Sequence, residues 1–275
     1  MKTVAFLWWD NEVKWDKDRP FGGKEWKNKD YAEYTEMLED KGVKVLCGEY
    51  RWYQDGEMEK AFHWNGEKWD KLDDARIDGV FDLFRHDEEK YKLKKRMKKE
   101  VGILNDPEVA ELCQDKLETY EKFPEYLPET RKASKENIEK MLKINDKVVL
   151  KPRYGSSGEG IKIVEEVPET LPEDMLVQEF IESDDLPEYG IEGPHDLRVL
   201  VVNGEPIGSY FRVPDEGLLS NVALGGSKIY VELDRLDEKL FEIVDDVGRK
   251  LDSYNPSIYT VDFMYSGGKP WIVEL

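Results

Sequence analysis

Residues 148–161 read VVLKPRYGSSGEGI. An apolar strand ends in Lys151, a loop follows with Gly155, Ser156, Ser157, Gly158 and Gly160, and a second apolar run begins at Ile161. Glycines let backbone N–H groups approach an anion closely, and a neighbouring lysine supplies a point charge, a combination suited to a polyphosphate. A Walker A loop runs from strand to helix with its lysine after the glycines. Here the lysine comes first and the loop joins two strands, so it would act as a flap over phosphates. Taken alone, the segment is equally a glycine-rich hairpin with an incidental lysine. Lys116 is a second cation within reach of such a region. Gln178, Glu179, Phe180 and Ile181 offer backbone and side-chain partners for an adenine edge beside an apolar surface. Arg198 sits mid-strand among apolar neighbours, where an unpaired guanidinium would be very costly, and Arg212 does the same on the next strand. Asp262 and Glu274 fall on adjacent strands. Facing carboxylates repel unless a cation bridges them, and oxygen-only ligands beside phosphates are the usual setting for Mg2+. Each residue also has a structural reading: Arg198 in an ion pair, Asp262 and Glu274 as hairpin carboxylates paired with lysine, Glu179 as a solvated strand end. His195, beside Asp196, is a candidate base or a structural histidine.

Patterning gives the elements that must position these groups. Residues 2–8 read as a buried strand, 31–41 as a helix, 43–47 as a second strand and 79–84 as another, with a hairpin about Asn65-Gly66. This αβ-alternating first unit closes on the highly charged helix 85–99, whose basic run reads as a solvated face or an anion contact. Seven of the eight tryptophans precede residue 70, either a stacking surface or core packing. A second unit opens at 101–107. It continues with a turn at Pro128-Glu129-Thr130 and a helix over 134–142 that has a serine N-cap. The glycine loop and its strands come next, then a strand at 175–181. A confident hairpin at 196–213 turns on Asn203-Gly204. A helix over 236–251 and a last hairpin at 258–275 complete the chain.

Composition narrows the function classes. The 275 residues suffice for two or three compact units with real cores. A formal charge of −20 opposes binding to nucleic acid backbones and anionic membranes, and any phosphate site must bring its own cations. Such acidity can reflect adaptation to high salt, although lysine outnumbers arginine. Cys47 and Cys113 form no CxxC pair and, with three histidines, no soft-metal constellation. A reduced, cytoplasmic setting fits. The N-terminal apolar run is too short for a signal peptide, and no stretch approaches the roughly 20 apolar residues of a membrane span.

Taken together, the chain resembles the ATP-grasp superfamily, in the branch of glutathione synthetase and the RimK-type ligases. The resemblance covers about residues 103–275. It is carried by NDPEVAELCQDKLET, VVLKPRYGSSGEGI, LVQEFI, DLRVLVVNGEPIGSYFRVP, SNVALGG and YTVDFMYSGGKPWIVEL, in that order and spacing. It implies an α/β (α+β) fold, with an ATP-grasp core of two α+β subdomains preceded by an αβ-alternating pre-ATP-grasp domain. The expected domains are 1–100 for the N-terminal domain, 101–178 for the lid with the glycine loop, and 179–275 for the core. It further implies an ADP-forming ligase that joins a carboxylate to an amine or thiol through an acyl phosphate, with ATP and Mg2+ (or Mn2+). Lys116 and Lys151 would contact the α- and β-phosphates, the loop from Gly155 through Ser156, Ser157 and Gly158 to Gly160 would close over them, and Gln178, Glu179, Phe180 and Ile181 would hold adenine. Arg198 and Arg212 would stabilise the transferred group, Asn221 would lie by the acyl group, and Asp262 and Glu274 would bind the metal. The family's metal motif continues Glu-x-Asn, whereas these residues end at Leu275, one short of the third ligand. A non-catalytic or regulatory ATP-binding protein of the same fold is therefore the alternative. The expected partners are small-molecule or peptide carboxylates and amines, with no nucleic acid and no membrane. Oligomeric state is left open, a homo-oligomer being the default.

Overall fold

The computed structural model describes residues 1–84, 87–155, 158–214 and 226–275. The chain divides into two compact units, Met1–Pro107 and Glu108–Leu275.

The first unit is a sheet in the order β3-β4-β2-β1-β6-β7, with β5 paired to β4. Its elements are β1 (Lys2–Trp8), α1 (Glu25–Glu39), β2 (Val43–Glu49), β3 (Tyr53–Gln54), β4 (Glu57–Trp64), β5 (Trp69–Arg76), β6 (Gly79–Asp82), α2 (Glu88–Glu100) and β7 (Ile103–Leu104). Strands β2, β1, β6 and β7 run parallel. The unbroken apolar run of β1 follows from burial on both faces. Ala5 and Leu7 enter one core cluster, Phe6 and Trp8 the other. The expected first domain ends at residue 100, but Ile103 and Leu104 pair with β6, so the first sheet extends past that point.

Helix α1 begins at Glu25, a turn and a half before the apolar periodicity does. Its early turns bury charge instead: Lys27 lies 2.6 Å from Glu12 and its amine sits over the rings of Trp8, Phe21 and Tyr31. Helix α2 is capped by Asp87, which accepts from the Lys90 amide, and carries Lys98 and Lys99 in its last turn, where cations suit the helix dipole. It is not wholly a solvated face. Met97 is fully buried, and Lys94 is buried in an ion pair with Asp82 at 2.8 Å. The tryptophans divide: Trp8 and Trp69 are core residues, while Trp9 and Trp26 are exposed.

The second unit carries two antiparallel sheets. α3 (Pro107–Gln114) and α4 (Lys116–Lys122) lead into β8 (Thr130–Lys132), α5 (Lys135–Leu142), β9 (Val148–Pro152), β10 (Lys162–Val164) and β11 (Met175–Glu179). The strands order as β10-β9-β11-β8. The residues expected as a turn at Pro128-Glu129-Thr130 run directly into β8. Ser134 caps α5 by accepting from the Asn137 amide, as the serine suggested. The glycine loop joins β9 to β10 as an antiparallel pair, Lys162 opposite Leu150, so it is a strand–loop–strand flap. Gly155, Gly158 and Gly160 all take positive φ. A Cβ on Gly160 would also lie 2.9 Å from the Pro152 ring.

The second sheet orders β14-β13-β12-β15-β16, from β12 (Asp196–Val202), β13 (Glu205–Val213), β14 (Ser227–Val231), β15 (Ile258–Ser266) and β16 (Lys269–Glu274). Asn203 and Gly204 both take positive φ, the geometry of a two-residue hairpin. Helix α6 (Glu238–Leu251) lays Leu240, Ile243, Val244, Val247 and Leu251 on one face of this sheet, over Val199, Val201, Phe211, Val261 and Phe263. It crosses so close that a Cβ on Gly248 would lie 2.9 Å from the Gly204 backbone. The residues between, Asp196, Arg198, Arg212 and Asp262, therefore project from the opposite face, by strand alternation alone.

Candidate nucleotide and acyl-transfer site

The two sheets of the second unit line one cavity of about 550 Å³. Its walls include Lys116, Lys151, Gly155, Gly158, Gln178, Glu179, Phe180, Ile181, Arg198, Arg212, Asp262 and Glu274. Almost the whole set of residues singled out in the sequence is thus in one place. Gly160 is outside the lining, packed on Pro152. Ser156, Ser157 and Asn221 lie outside the described residues.

Lys151 is 5% exposed, at the end of β9. Its amine donates to Gln178 Oε1 at 2.9 Å, and Gln178 Nε2 donates to the Thr130 hydroxyl at 2.7 Å. Burial, helped by the nearby charge of Lys116, pushes its pKa down to about 8. A cation held dry and, among the described residues, without a carboxylate in contact is prepared for an anion. Lys116 opens α4. Its amine donates to the Gly155 carbonyl at 2.6 Å and lies 3.3 Å from Glu274. The helix start is fixed by Asp115, 2% exposed, which caps the Leu117 and Glu118 amides and grips Arg153 with two hydrogen bonds from its Nε at 2.8 and 2.9 Å. Burial raises the Asp115 carboxyl. The Arg153, Glu118 and Tyr154 hydrogen bonds outweigh that and hold it below the usual carboxylate range. Asp115 thus ties the root of Lys116 to the strand that carries Lys151.

At the far wall, Asp262 is 1% exposed and receives Arg198 through two hydrogen bonds, at 2.7 and 2.6 Å, and Arg212 on the same Oδ2. Arg212 also reaches Asp196. Glu274 stands directly opposite Asp262 across β15 and β16, beside a bulge. Asp262 and Glu274 therefore have the mutual placement that suggested a metal pair, and both are engaged by cations in this structure. Among the described residues no cluster of three or more His, Cys, Asp or Glu is gathered. Two hard carboxylates on one wall of the cavity fit Mg2+, which commonly takes one or two carboxylates and completes its shell with phosphate oxygens and water.

Val149, Ile161, Ile163, Phe180 and Met264 supply apolar lining to the cavity. The Lys147 amine sits 4.1 Å from the Phe180 ring centroid. Lys147, Asp115, Asp196 and Met264 escape a reading by residue type. Met264 had a signal, lying two residues from Asp262 on the same face. The other three act through tertiary pairing alone. His195 is fully buried, with Nδ1 2.9 Å from the Gly193 carbonyl, and burial lowers its pKa. It does not line the cavity.

The chain is similar to known proteins in sequence and in fold. Residues 113–275 match the family described as ATP-grasp domain. A glutathione synthetase of Prochlorococcus marinus subsp. pastoris is 32% identical over 158 residues, 52% of this chain and 48% of that protein. A glutathione synthetase of Brucella melitensis is 29% identical over 173 residues, 58% and 51% respectively. The chain thus spans about half the length of the curated relatives it matches. Among solved structures, the ATP-grasp ligase PsnB complexed with minimal precursor aligns at TM-score 0.61 and 12% identity, over 100% of this chain and 90% of that one. D-alanyl-alanine synthetase A of Vibrio cholerae aligns at 0.60 and 14%, over 99% and 88%. At such identities these two show likeness of fold alone.

Proposed function

This chain belongs to the ATP-grasp family, and on that premise we propose that it is an ADP-forming, ATP-dependent ligase that joins a carboxylate to an amine. The observation that carries the proposal is the convergence of Lys116, Lys151, Arg198, Arg212, Asp262 and Glu274 on one cavity that also has apolar lining. The glutathione synthetases among the relatives support the same reaction class.

Adenine would lie against Phe180, Ile181 and Met264, its edge read by Gln178 and Glu179. Lys116 and Lys151 would hold the α- and β-phosphates under the flap. A carboxylate oxygen of the acid attacks the γ-phosphorus, the bond to the β-phosphate oxygen breaks, and an acyl phosphate and ADP result. The amine then attacks the acyl carbon, phosphate leaves and the amine proton is lost, giving the amide. Neither step needs a nucleophilic side chain. Both need charge neutralisation and in-line positioning. Arg198 and Arg212 are placed to stabilise the phosphoryl group as charge moves onto it. A divalent cation on Asp262 and Glu274 would neutralise the phosphate oxygens, and Mg2+ suits the donor set better than softer ions. For that the arginines and Lys116 must turn from the carboxylates towards the nucleotide. Acid and amine are small molecules or a peptide terminus, and the site functions in a reduced, cytoplasmic setting.

The test is ADP release from Mg·ATP in the presence of acid and amine panels. Release that requires an acid supports the ligase reading. Tight Mg·ATP binding without release under any pair would instead identify a nucleotide-binding protein without turnover. Arg198→Ala is expected to lower turnover by at least about 100-fold, about 2.7 kcal/mol of transition-state stabilisation, with a smaller change in Mg·ATP affinity.

A further inference from the structure

The face of the second sheet that carries Arg198 and Asp262 does not end with the charged residues. Two positions along β12 lies Leu200, with Gly208 opposite it on β13. Tyr210 lies opposite Arg198, and Tyr230 opposite Tyr210 on the edge strand β14. The two rings meet at 5.6 Å between centroids. The Lys228 amine lies 4.9 Å over the Tyr210 ring. Tyr230 is 75% exposed, and among the described residues a Cβ on Gly208 would meet nothing within 4 Å. None of these four residues lines the nucleotide cavity. The charged wall of the cavity therefore continues along the same sheet face into an aromatic pair.

From this continuity we infer that Leu200, Gly208, Tyr210 and Tyr230 form a subsite for the organic body of the acid substrate, selecting acids with an aromatic or other broad apolar group near the carboxylate. The inference rests on the ligase reading for the role of the acid and goes beyond it in naming the acid's class. A carboxylate held at Arg198 and Arg212 would set its ring over the tyrosines, since neighbouring strands lie about 4.8 Å apart and residues two apart on a strand about 6.8 Å. Offset or edge-on aromatic contact then adds to the apolar area covered. Gly208 leaves room for the group. Lys228 and the two arginines give the acid a cationic approach within a chain of strongly negative charge.

The experiment titrates the protein, with Mg·ADP bound, with 3-phenylpropionate and with propionate, which share the carboxylate and differ in the ring. The parent is expected to bind phenylpropionate at least about tenfold more tightly, the effect of covering roughly half a phenyl ring. Gly208→Val places a β-branched residue in open space at an ordinary strand conformation. It should leave Mg·ADP affinity unchanged and cut the preference below about threefold. Tyr230→Ala, a change at an exposed position, should cut it likewise and carries the test if the valine variant does not fold. Equal affinity for both acids in the parent, or an undiminished preference in a folded variant that binds Mg·ADP, would overturn the subsite. A tenfold preference in a protein that releases no ADP with any amine would sustain the subsite and overturn the ligase reading.

Discussion

Lys151 gives the sharpest statement at the scale of a residue. Its amine is buried and bonded to an amide oxygen, and burial pushes its pKa down to about 8 from the ordinary lysine value near 10.5. Between those values the unfolded chain holds the proton more firmly than the folded one, so the unliganded protein gains stability as pH rises through that window. Nucleotide phosphates need the charged form. Mg·ATP affinity is therefore expected to fall as pH rises above about 8, with proton uptake on binding, measurable by calorimetry at pH 8.5 in buffers of different ionisation enthalpy. Affinity flat up to pH 10 would remove Lys151 from the phosphate site. Asp262 bears on stability through its ion pairs. It is the shared anchor of two guanidiniums, so Asp262→Asn leaves two cations partly buried and without their carboxylate. A loss of about 3–5 kcal/mol in urea unfolding is expected. A near-neutral change would mean that the ion-pair network is not a native feature. Residue types marked these positions in the sequence, but their partners were not legible. That Asp262 binds arginines, or that Asp115 roots both lysines, depends on pairs far apart in the chain.

Elements were legible where a local rule fixed them. Asn203-Gly204 specified its hairpin through positive φ, Ser134 specified the start of α5 through its side-chain cap, and the lysine-before-glycines order distinguished a flap from a helix-terminal loop. The start of α1 was hidden because Lys27 and Asn28 are buried by pairing, which no hydrophobic period records. β7 and β8 were hidden because strands of two and three residues carry almost no period. The glycine pair at the crossing of α6 and the β12–β13 turn has an energetic consequence. Gly248→Ala brings a Cβ to 2.9 Å from backbone that cannot retreat as a side chain would. A loss of about 1–3 kcal/mol is expected by thermal or urea melting, and no loss would mean that the helix packs farther out.

At the scale of the whole molecule, a formal charge of −20 makes the fold work against its own field while the cavity gathers cations. Screening relieves the first, so melting temperature should rise between about 0.01 M and 1 M NaCl, as the Debye length falls from about 30 to 3 Å. A fall would mean that attractive ion pairs dominate the surface. The αβ alternation and the acidity were plain from composition and pattern. The meeting of residues 116 to 274 at one cavity was legible only through their resemblance to a known arrangement, because strand order within a sheet is not written in local sequence. The most direct measurement is calorimetric titration with Mg·ATP of the parent and of Lys151→Ala, each shown to be folded. Saturable one-to-one binding is expected in the parent, weakened at least about tenfold, about 1.4 kcal/mol, in the variant, whose unliganded melting stays nearly unchanged. A folded parent that binds no Mg·ATP, or a variant that binds it as tightly, would contradict the nucleotide site on which the proposed reaction depends.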